Sequence, residues 1–238
     1  MKLDILAIGA HPDDVELGCG GTLLKHIHQG KKVGIIDLTR GELGTRGTAE
    51  TRDQEAADAK AIMGLHAREN LGFRDGFFQN DEEHQIELIK MLRKYKPDVV
   101  LANAIVDRHP DHAKGAKLAY DACFLSGLPK IETTLDDKSQ EAWRPKALYH
   151  YTQFRYIEPD FVVDISDFFE KKMEAVKAYK TQFFDPESDE PDTFISGRDF
   201  FSFLESTYIT YGKPLGVKYA EGFTINRYMG VEDITKLV

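Results

Sequence analysis

The sequence predicts an α/β fold: a single Rossmann-like domain over residues 1–238, with a mostly parallel sheet sandwiched by helices. Three observations predict this class. Short apolar runs that are typical of buried strands alternate with segments whose apolar residues recur at helical spacing. The connections between these segments are short, which favours parallel strands joined by crossover helices. Finally, no internal repeat, low-complexity stretch or linker divides the chain, so we expect one domain.

The first half of the chain supplies four strand–helix pairs. Predicted strands cover residues 4–10, 32–39, 68–73 and 98–103, and predicted helices cover residues 15–24, 49–63, 82–95 and 111–124. Thr48 is the expected N-cap of the second helix, and Pro97 lies just past the third. Because ligands bind beyond the carboxyl ends of strands in such sheets, we expect the site in the segments that follow the strands.

The second half of the chain is less regular. We expect strands at residues 147–151, 161–165 and 219–225, helices at 166–184 and 197–211, and a loop at 185–192, where five acidic residues and two prolines occur. Ser166 is the expected N-cap of the fifth helix. The glycine-rich run at residues 18–21 lacks the spacing of a phosphate loop, and we interpret it as close packing of a helix on the sheet.

Composition narrows the class of protein. Hydrophobic residues make up 42% and charged residues 30% of the chain, as in ordinary globular proteins, and no apolar run is long enough for a membrane span. The formal charge of −9 disfavours nucleic acid and anionic membranes as partners. The N-terminal segment does not resemble a signal peptide, and the two cysteines lie in unrelated segments. We therefore expect reduced thiols in a cytoplasmic protein.

The tripeptide His-Pro-Asp occurs twice, each time after a predicted strand: at residues 11–14, extended by a second Asp, and at residues 109–112, extended by a second His. A catalytic zinc site uses three His or carboxylate ligands and leaves one position open. We therefore predict that His11, Asp14 and His112 converge on one metal ion. The same ligand set suits Zn²⁺ or Fe²⁺.

The remaining polar residues of the two segments have expected roles in hydrolysis. Asp13 can take a proton from a water molecule whose pKa the metal lowers. His109, as an imidazolium, can stabilise an oxyanion or protonate a leaving amine, and Asp111 can hydrogen-bond a ring and fix its tautomer. The alternative is that these are capping residues: Asp13 or Asp14 caps the first helix, and Asp111 caps the fourth. Together the motifs predict a hydrolase of an amide or ester.

Two further residues are candidates for contacts with a substrate. Arg52, near the start of the second helix, can bind hydroxyls or a carboxylate, and the alternative is a salt bridge with Glu42 or Glu55. Asp75, in an Arg-Asp-Gly turn, can accept hydrogen bonds from a sugar. Formation of the turn alone is the alternative for Asp75.

The paired His-Pro-Asp motifs resemble those of the PIG-L (LmbE-like) family of zinc-dependent N-acetylglucosamine deacetylases. The resemblance runs from residue 3 to about residue 125 and returns at residues 219–223. Residues 39–48 and 70–77 are also similar to a bacterial branch that deacetylates N-acetylglucosaminyl malate on the way to bacillithiol.

The resemblance implies roles for residues of this chain. It places zinc at His11, Asp14 and His112. It makes Asp13 the general base and gives His109 the role of stabilising the oxyanion or acting as the acid. It also places Arg52 at a small amino-sugar substrate. It also implies a homohexamer. The alternatives are deacetylation of N-acetylglucosamine or chito-oligosaccharides, and a sugar- or metal-binding protein without turnover. The carboxyl group of Asp13 beside the ligands favours an enzyme, because a binding protein needs no extra carboxylate.

Overall fold

A seven-stranded sheet forms the centre of the computed structural model, which describes residues 1–183 and 189–237. The strands of the chain are β1 (Ile5–Gly9), β2 (Val33–Thr39), β3 (Ala67–Phe73), β4 (Val99–Ala102), β5 (Thr134–Leu135), β6 (Lys138–Ser139), β7 (Ala147–Tyr151), β8 (Phe161–Asp164) and β9 (Ala220–Ile225). The helices are α1 (Asp14–His28), α2 (Ala49–Met63), α3 (Glu82–Tyr95), α4 (Pro110–Leu125), α5 (Phe169–Lys177) and α6 (Phe200–Gly212).

The sheet has the order β3-β2-β1-β4-β7-β9-β8. The first five strands in this order are parallel, and β9 pairs antiparallel with both β7 and β8. The chain leaves β1 in one direction through β2 and β3, and then returns to the other side of β1 with β4. The gap beyond the carboxyl ends of β1 and β4 is therefore the topological switch point, where open α/β sheets bind ligands.

Alternate side chains of the central strands face two separate cores, as expected for a sheet covered on both sides. Leu6 and Ile8 pack with apolar residues of α3 and α4, whereas Ile5 and Ala7 pack with residues of α1, α2 and α5. This arrangement confirms the predicted mostly parallel sheet between helices. None of the helices in the described ranges combines the length and apolar character that crossing a lipid bilayer requires.

The glycine run in α1 allows the close packing that the sequence predicts. A Cβ atom on Gly18 would overlap the ring of Tyr151, and one on Gly21 would lie 2.8 Å from the side chain of Ile165. Cys19, between them, has non-helical φ and ψ angles and breaks the helix. Both cysteines are buried and free, as predicted.

The structure corrects several predicted elements. The helix expected at residues 166–184 is a 3₁₀ turn (Ser166–Phe168) followed by α5, which ends at Lys177. After Lys177, Ala178 and Tyr179 donate to carbonyls three residues back, and the backbone N–H of Thr181 donates to the Glu55 side chain. Residue 184 and residues 185–188 of the expected loop lie outside the described residues. The hairpin of β5 and β6 was not predicted.

Candidate active site

The two His-Pro-Asp segments meet at the switch point of the sheet. His11 and Asp14 lie on the turn from β1 into α1, and His112 lies in the first turn of α4, which follows β4. The Asp14 carboxylate lies between the two rings: Oδ1 is 3.0 Å from Nε2 of His112, and Oδ2 is 3.5 Å from Nδ1 of His11. Two ring nitrogens and a carboxylate thus face one another at the positions where the sequence predicts them.

The other nitrogen of each ring is held by a second carboxylate. His112 Nδ1 lies 2.5 Å from Oδ2 of Asp107, and His11 Nε2 lies 3.0 Å from Oδ1 of Asp75. A carboxylate behind each imidazole is the arrangement that orients histidine ligands in metal sites and fixes their tautomer. Asp75 is buried, and its other oxygen accepts from the N–H of Leu43. The Asp75 side chain therefore contacts His11 and the Leu43 backbone. Forming the turn, the alternative considered for Asp75, is not its sole role.

Two amide side chains fix the orientation of Asp14. Asn103 donates from Nδ2 to Oδ2 of Asp14 at 3.0 Å, and Gln153 donates from Nε2 to Oδ1 at 3.0 Å. The sequence reasoning missed both residues, although each follows the carboxyl end of a strand, β4 or β7. That position is the signal by which they could have been found.

The site favours a bound positive charge. Burial alone would raise the pKa of Asp14, but the charge of His112 and the hydrogen bonds from both rings hold it well below its usual value. Burial would also lower the pKa of His112, yet Asp14 and Asp107 raise it to about 9. The surplus of carboxylates thus stabilises cations at this point, and the nitrogen and oxygen donors are those that zinc and ferrous iron accept.

The donor sets whose ligand atoms lie close enough to share one ion differ from the predicted set. One ligand atom each from His11, His109 and His112 lies within 4.8 Å of the others, and the same holds for His11, Asp75 and Asp111. Both sets share His11 with the predicted ligands. The residues present therefore fit a metal ion at His11, whichever neighbours complete its coordination.

Asp13 is buried beside the predicted ligands in an unusual backbone conformation. Its φ of 109° lies in the left-handed region, and its side chain makes no capping hydrogen bond to α1. Burial, with a contribution from the charge of Asp14, raises the pKa of Asp13 to about 7, against the lowering effect of the Arg52 guanidinium. Asp13 is therefore the N-cap of α1 by position, but its side chain does not cap the helix. The capping interpretation is wrong for Asp111, because His109 is the N-cap of α4.

Arg52 points into the site from α2. Its guanidinium lies 3.5 Å from Oδ2 of Asp13 and donates to the carbonyl of Pro12. The predicted alternative, a salt bridge with Glu42 or Glu55, is wrong. Those carboxylates instead accept from backbone N–H groups in other loops.

His109 and Asp111 depart from the expected details. The backbone N–H of Asp111 donates to Nδ1 of His109 at 3.3 Å, so that nitrogen is unprotonated. Burial and the charges of His11 and His112 lower the pKa of His109. The expected imidazolium is therefore disfavoured, and a neutral ring that accepts at Nδ1 carries its proton on Nε2. The Asp111 carboxylate approaches the ring of His11, at 3.6 Å, and accepts from Gly76 N–H.

A cleft of about 220 Å³, partly open to solvent, gives access to these residues. Its walls include Leu17, Phe154 and Ile195, and Arg108 stands at its rim. The Arg108 guanidinium stacks on the rings of Phe154 and Phe194, 5.3 and 4.4 Å from their centroids. Five other histidines lie outside the cleft lining: His26, His28, His66, His84 and His150.

The fold and the cluster define a class: Rossmann-like α/β proteins with converging histidine and carboxylate groups at the switch point of a parallel sheet. A family model described as GlcNAc-PI de-N-acetylase (PIG-L) matches residues 6–123. The chain is 31% identical, over 92% of its length, to a diacetylchitobiose deacetylase of Thermococcus kodakarensis, of which it covers 81%. The chain belongs to the PIG-L family.

Two further comparisons agree with this assignment. The chain is 28% identical to a probable N-acetyl-alpha-D-glucosaminyl L-malate deacetylase 2 of Bacillus subtilis, over 76% of this chain and 84% of that protein. Among solved structures, the conserved protein TT1542 from Thermus thermophilus is 38% identical with a TM-score of 0.85, and the match covers 97% of this chain and 98% of that one.

Proposed function

We propose that this chain is a metal-dependent N-deacetylase that removes the acetyl group from an N-acetylglucosamine unit, with N-acetylglucosaminyl malate as its substrate. The observation that carries the proposal is the meeting of His11, Asp14 and His112 beside a buried Asp13 of raised pKa. Membership of a deacetylase family supports the reaction type. A binding protein without turnover is disfavoured, because it would gain nothing from a second buried carboxylate at the ligands.

His11, Asp14 and His112 would hold the metal, and Asp75 and Asp107 would orient the two rings from behind. A divalent ion at this position supplies Lewis-acid chemistry and lowers the pKa of water. Zinc and ferrous iron both suit this donor set, and we propose zinc. The metal content of protein purified with and without oxygen distinguishes them, because ferrous iron is lost by oxidation and zinc is not.

Asp13 and His109 would carry out the proton and charge transfers of hydrolysis. Asp13 accepts a proton from the attacking water as the water oxygen bonds to the acetamide carbon. The neutral His109 donates a hydrogen bond from Nε2 to the oxygen of the tetrahedral intermediate. Asp13 then returns its proton to the nitrogen as the C–N bond breaks, which gives acetic acid and the free amine. The acid passes its remaining proton to the amine, so that acetate and the ammonium form of the sugar are released. A pKa of about 7 suits both halves of this cycle.

Two arginine side chains of the cleft support an anionic conjugate over a neutral sugar. Arg52 lies at the base of the cleft and Arg108 at its rim, and a guanidinium binds a carboxylate in a bidentate geometry that a neutral chito-oligosaccharide does not match. The relative from Bacillus subtilis supports malate as the anionic part. The relative from Thermococcus supports the second candidate, diacetylchitobiose.

The deciding experiment compares acetate release from N-acetylglucosaminyl malate, diacetylchitobiose and N-acetylglucosamine, on protein whose zinc content is known. We expect zinc-dependent release with the highest kcat/KM for the malate conjugate. An Arg108→Gln variant should lower kcat/KM for the malate conjugate only. If acetate is released from the neutral sugars alone, the proposed reaction stands and the malate conjugate is refuted as the substrate. If none of the three compounds releases acetate, both the reaction and the substrate are refuted.

We also propose a cytoplasmic homohexamer. Several large apolar side chains are exposed along α4 and the segment before it, as expected of a surface that a second copy covers: Ile105, Val106, Tyr120 and Phe124. Light scattering on the purified protein should give six times the mass of the chain. A monomer across the micromolar range would refute the assembly.

A further inference from the structure

Helix α1 is broken in the middle, and the broken region is buried. Cys19 has a φ of −146° and a ψ of 18°, and every residue from 14 to 24 is buried. A break in a helix leaves carbonyl groups before it and N–H groups after it without helical partners. Buried groups of this kind need other hydrogen-bond partners. In α1 these groups bond to the side chains of three distant elements, and one of the three is the Tyr208 hydroxyl of α6, which donates to the Leu17 carbonyl at 2.6 Å.

An ion pair supplies partners on both sides of the break. Lys172 of α5 donates from Nζ to the Leu17 carbonyl at 2.8 Å. Glu221 of β9 accepts from the backbone N–H groups of Gly21 and Thr22, at 2.9 and 2.7 Å. Lys172 and Glu221 bond each other at 2.6 Å, and both side chains are fully buried. One pair therefore bridges the two halves of α1.

The first half of α1 carries the groups of the site. Asp13 and Asp14 lie one turn before Leu17, whose N–H donates to the Asp13 carbonyl at 2.9 Å. We propose that Lys172 and Glu221 are positioning residues, which brace the break in α1 and so fix the orientation of Asp13 and Asp14. This inference rests on the proposed function, in which Asp14 is a metal ligand.

A merely stabilising role is the competing explanation. Burying two charges costs desolvation, and replacing a buried ion pair by neutral side chains often leaves a protein as stable or more stable. Stability alone therefore does not require charges at this place. The pair is distinctive because its remaining hydrogen bonds all go to backbone groups of α1, on both sides of Cys19.

The test uses the full chain carrying Lys172→Met and Glu221→Gln together, which removes both charges and leaves neither unpaired. Arg93→Met is the matched control. Arg93 is also buried and donates to backbone carbonyls, but these lie in the segment 126–131, outside the site. Two quantities are measured on each protein: the zinc Kd, by competition with a chromophoric chelator, and amide hydrogen exchange of residues 14–18 in the metal-free state.

We expect the zinc Kd per folded molecule to rise about tenfold or more in the double variant and to change less than about twofold in the control. Exchange of residues 14–18 should become faster in the double variant only. An unchanged zinc Kd in a folded double variant would overturn the proposal, even if the variant were less stable. If the double variant does not fold, Glu221→Gln alone gives the same two readouts.

Failure of this inference and failure of the proposed function give different results. A wild-type chain that binds no zinc refutes the metal centre. Exchange rates in the same metal-free samples then decide whether the pair braces α1: faster exchange in the double variant supports the brace, and unchanged exchange overturns it.

Discussion

Asp13→Asn tests the proposed base, because the substitution removes the charge and preserves the shape of the side chain. Asparagine also tolerates the left-handed φ of 109° better than alanine does. We expect kcat to fall by about 10²- to 10⁴-fold, the range that general base catalysis contributes. The zinc content should stay at the wild-type level, because Asp13 is not one of the proposed ligands.

The same variant should be more stable than the wild type once metal has been removed from both. Burial raises the pKa of Asp13 from 3.8 to about 7 in the folded state. As pH rises, the unfolded chain therefore loses this proton first, and the folded state loses stability between about pH 4 and pH 7. At about 1.4 kcal/mol per pKa unit, the free energy of unfolding of the asparagine variant should exceed that of the wild type by roughly 2 kcal/mol at pH 5 and roughly 4 kcal/mol at pH 8.

Urea unfolding of the metal-free proteins at pH 5 and pH 8 measures this difference, and acetate release measures kcat. Asp58→Asn is the control, since Asp58 is exposed on α2, and it should change neither quantity. Activity within about tenfold of the wild type would refute Asp13 as the base. If the two proteins were equally stable at pH 8, the claim that burial outweighs the Arg52 charge and raises the pKa of Asp13 would be refuted.

Three further predictions concern the metal and the packing of α1. Asp107→Asn should weaken zinc binding by about 10- to 100-fold, because it weakens the 2.5 Å contact that orients His112, and chelator competition measures this. Gly18→Ala should lower the free energy of unfolding by about 1–3 kcal/mol in urea titrations, because the added methyl group overlaps the Tyr151 ring. Removal of metal by a chelator should abolish acetate release, and added zinc should restore it.

Each of these predictions has a contradicting result. A zinc Kd for Asp107→Asn equal to that of the wild type would show that the hydrogen bond to Asp107 does not orient His112 for metal binding. Wild-type stability of Gly18→Ala would mean that the Tyr151 ring moves freely in the core. Full acetate release from protein without detectable metal would contradict the metal centre itself.

Sequence patterns predicted the parallel half of the sheet because its strands and helices follow one another closely and bury regular apolar faces. The four predicted strand–helix pairs match β1 to α4, and differ mainly at their ends. The second half was harder to predict, because contacts between distant residues decide it. Beyond the end of α5, for example, the N–H of Thr181 donates to Glu55, which is far away in the sequence. No local pattern contains that information.

The same distinction separates the predicted and the missed residues of the site. His11, Asp14 and His112 belong to a repeated tripeptide at strand ends, so their convergence follows once the parallel order of β1 and β4 is granted. Asn103 and Gln153 reach Asp14 only because β4 lies between β1 and β7. Their role depends on the order of strands in the sheet, which the spacing of residues along the chain does not determine.

The charge of His109 shows why a residue's position can be predicted when its protonation cannot. The His-Pro-Asp motif places the ring beside the ligands, and an isolated histidine there could carry either charge. In the folded chain a backbone N–H already occupies Nδ1, and burial lowers the pKa of the ring. A positive charge on His109 beside the proposed metal would also be disfavoured by repulsion. His109 is therefore suited to donate a hydrogen bond to an oxyanion as a neutral ring, and protonation of the leaving nitrogen falls to Asp13.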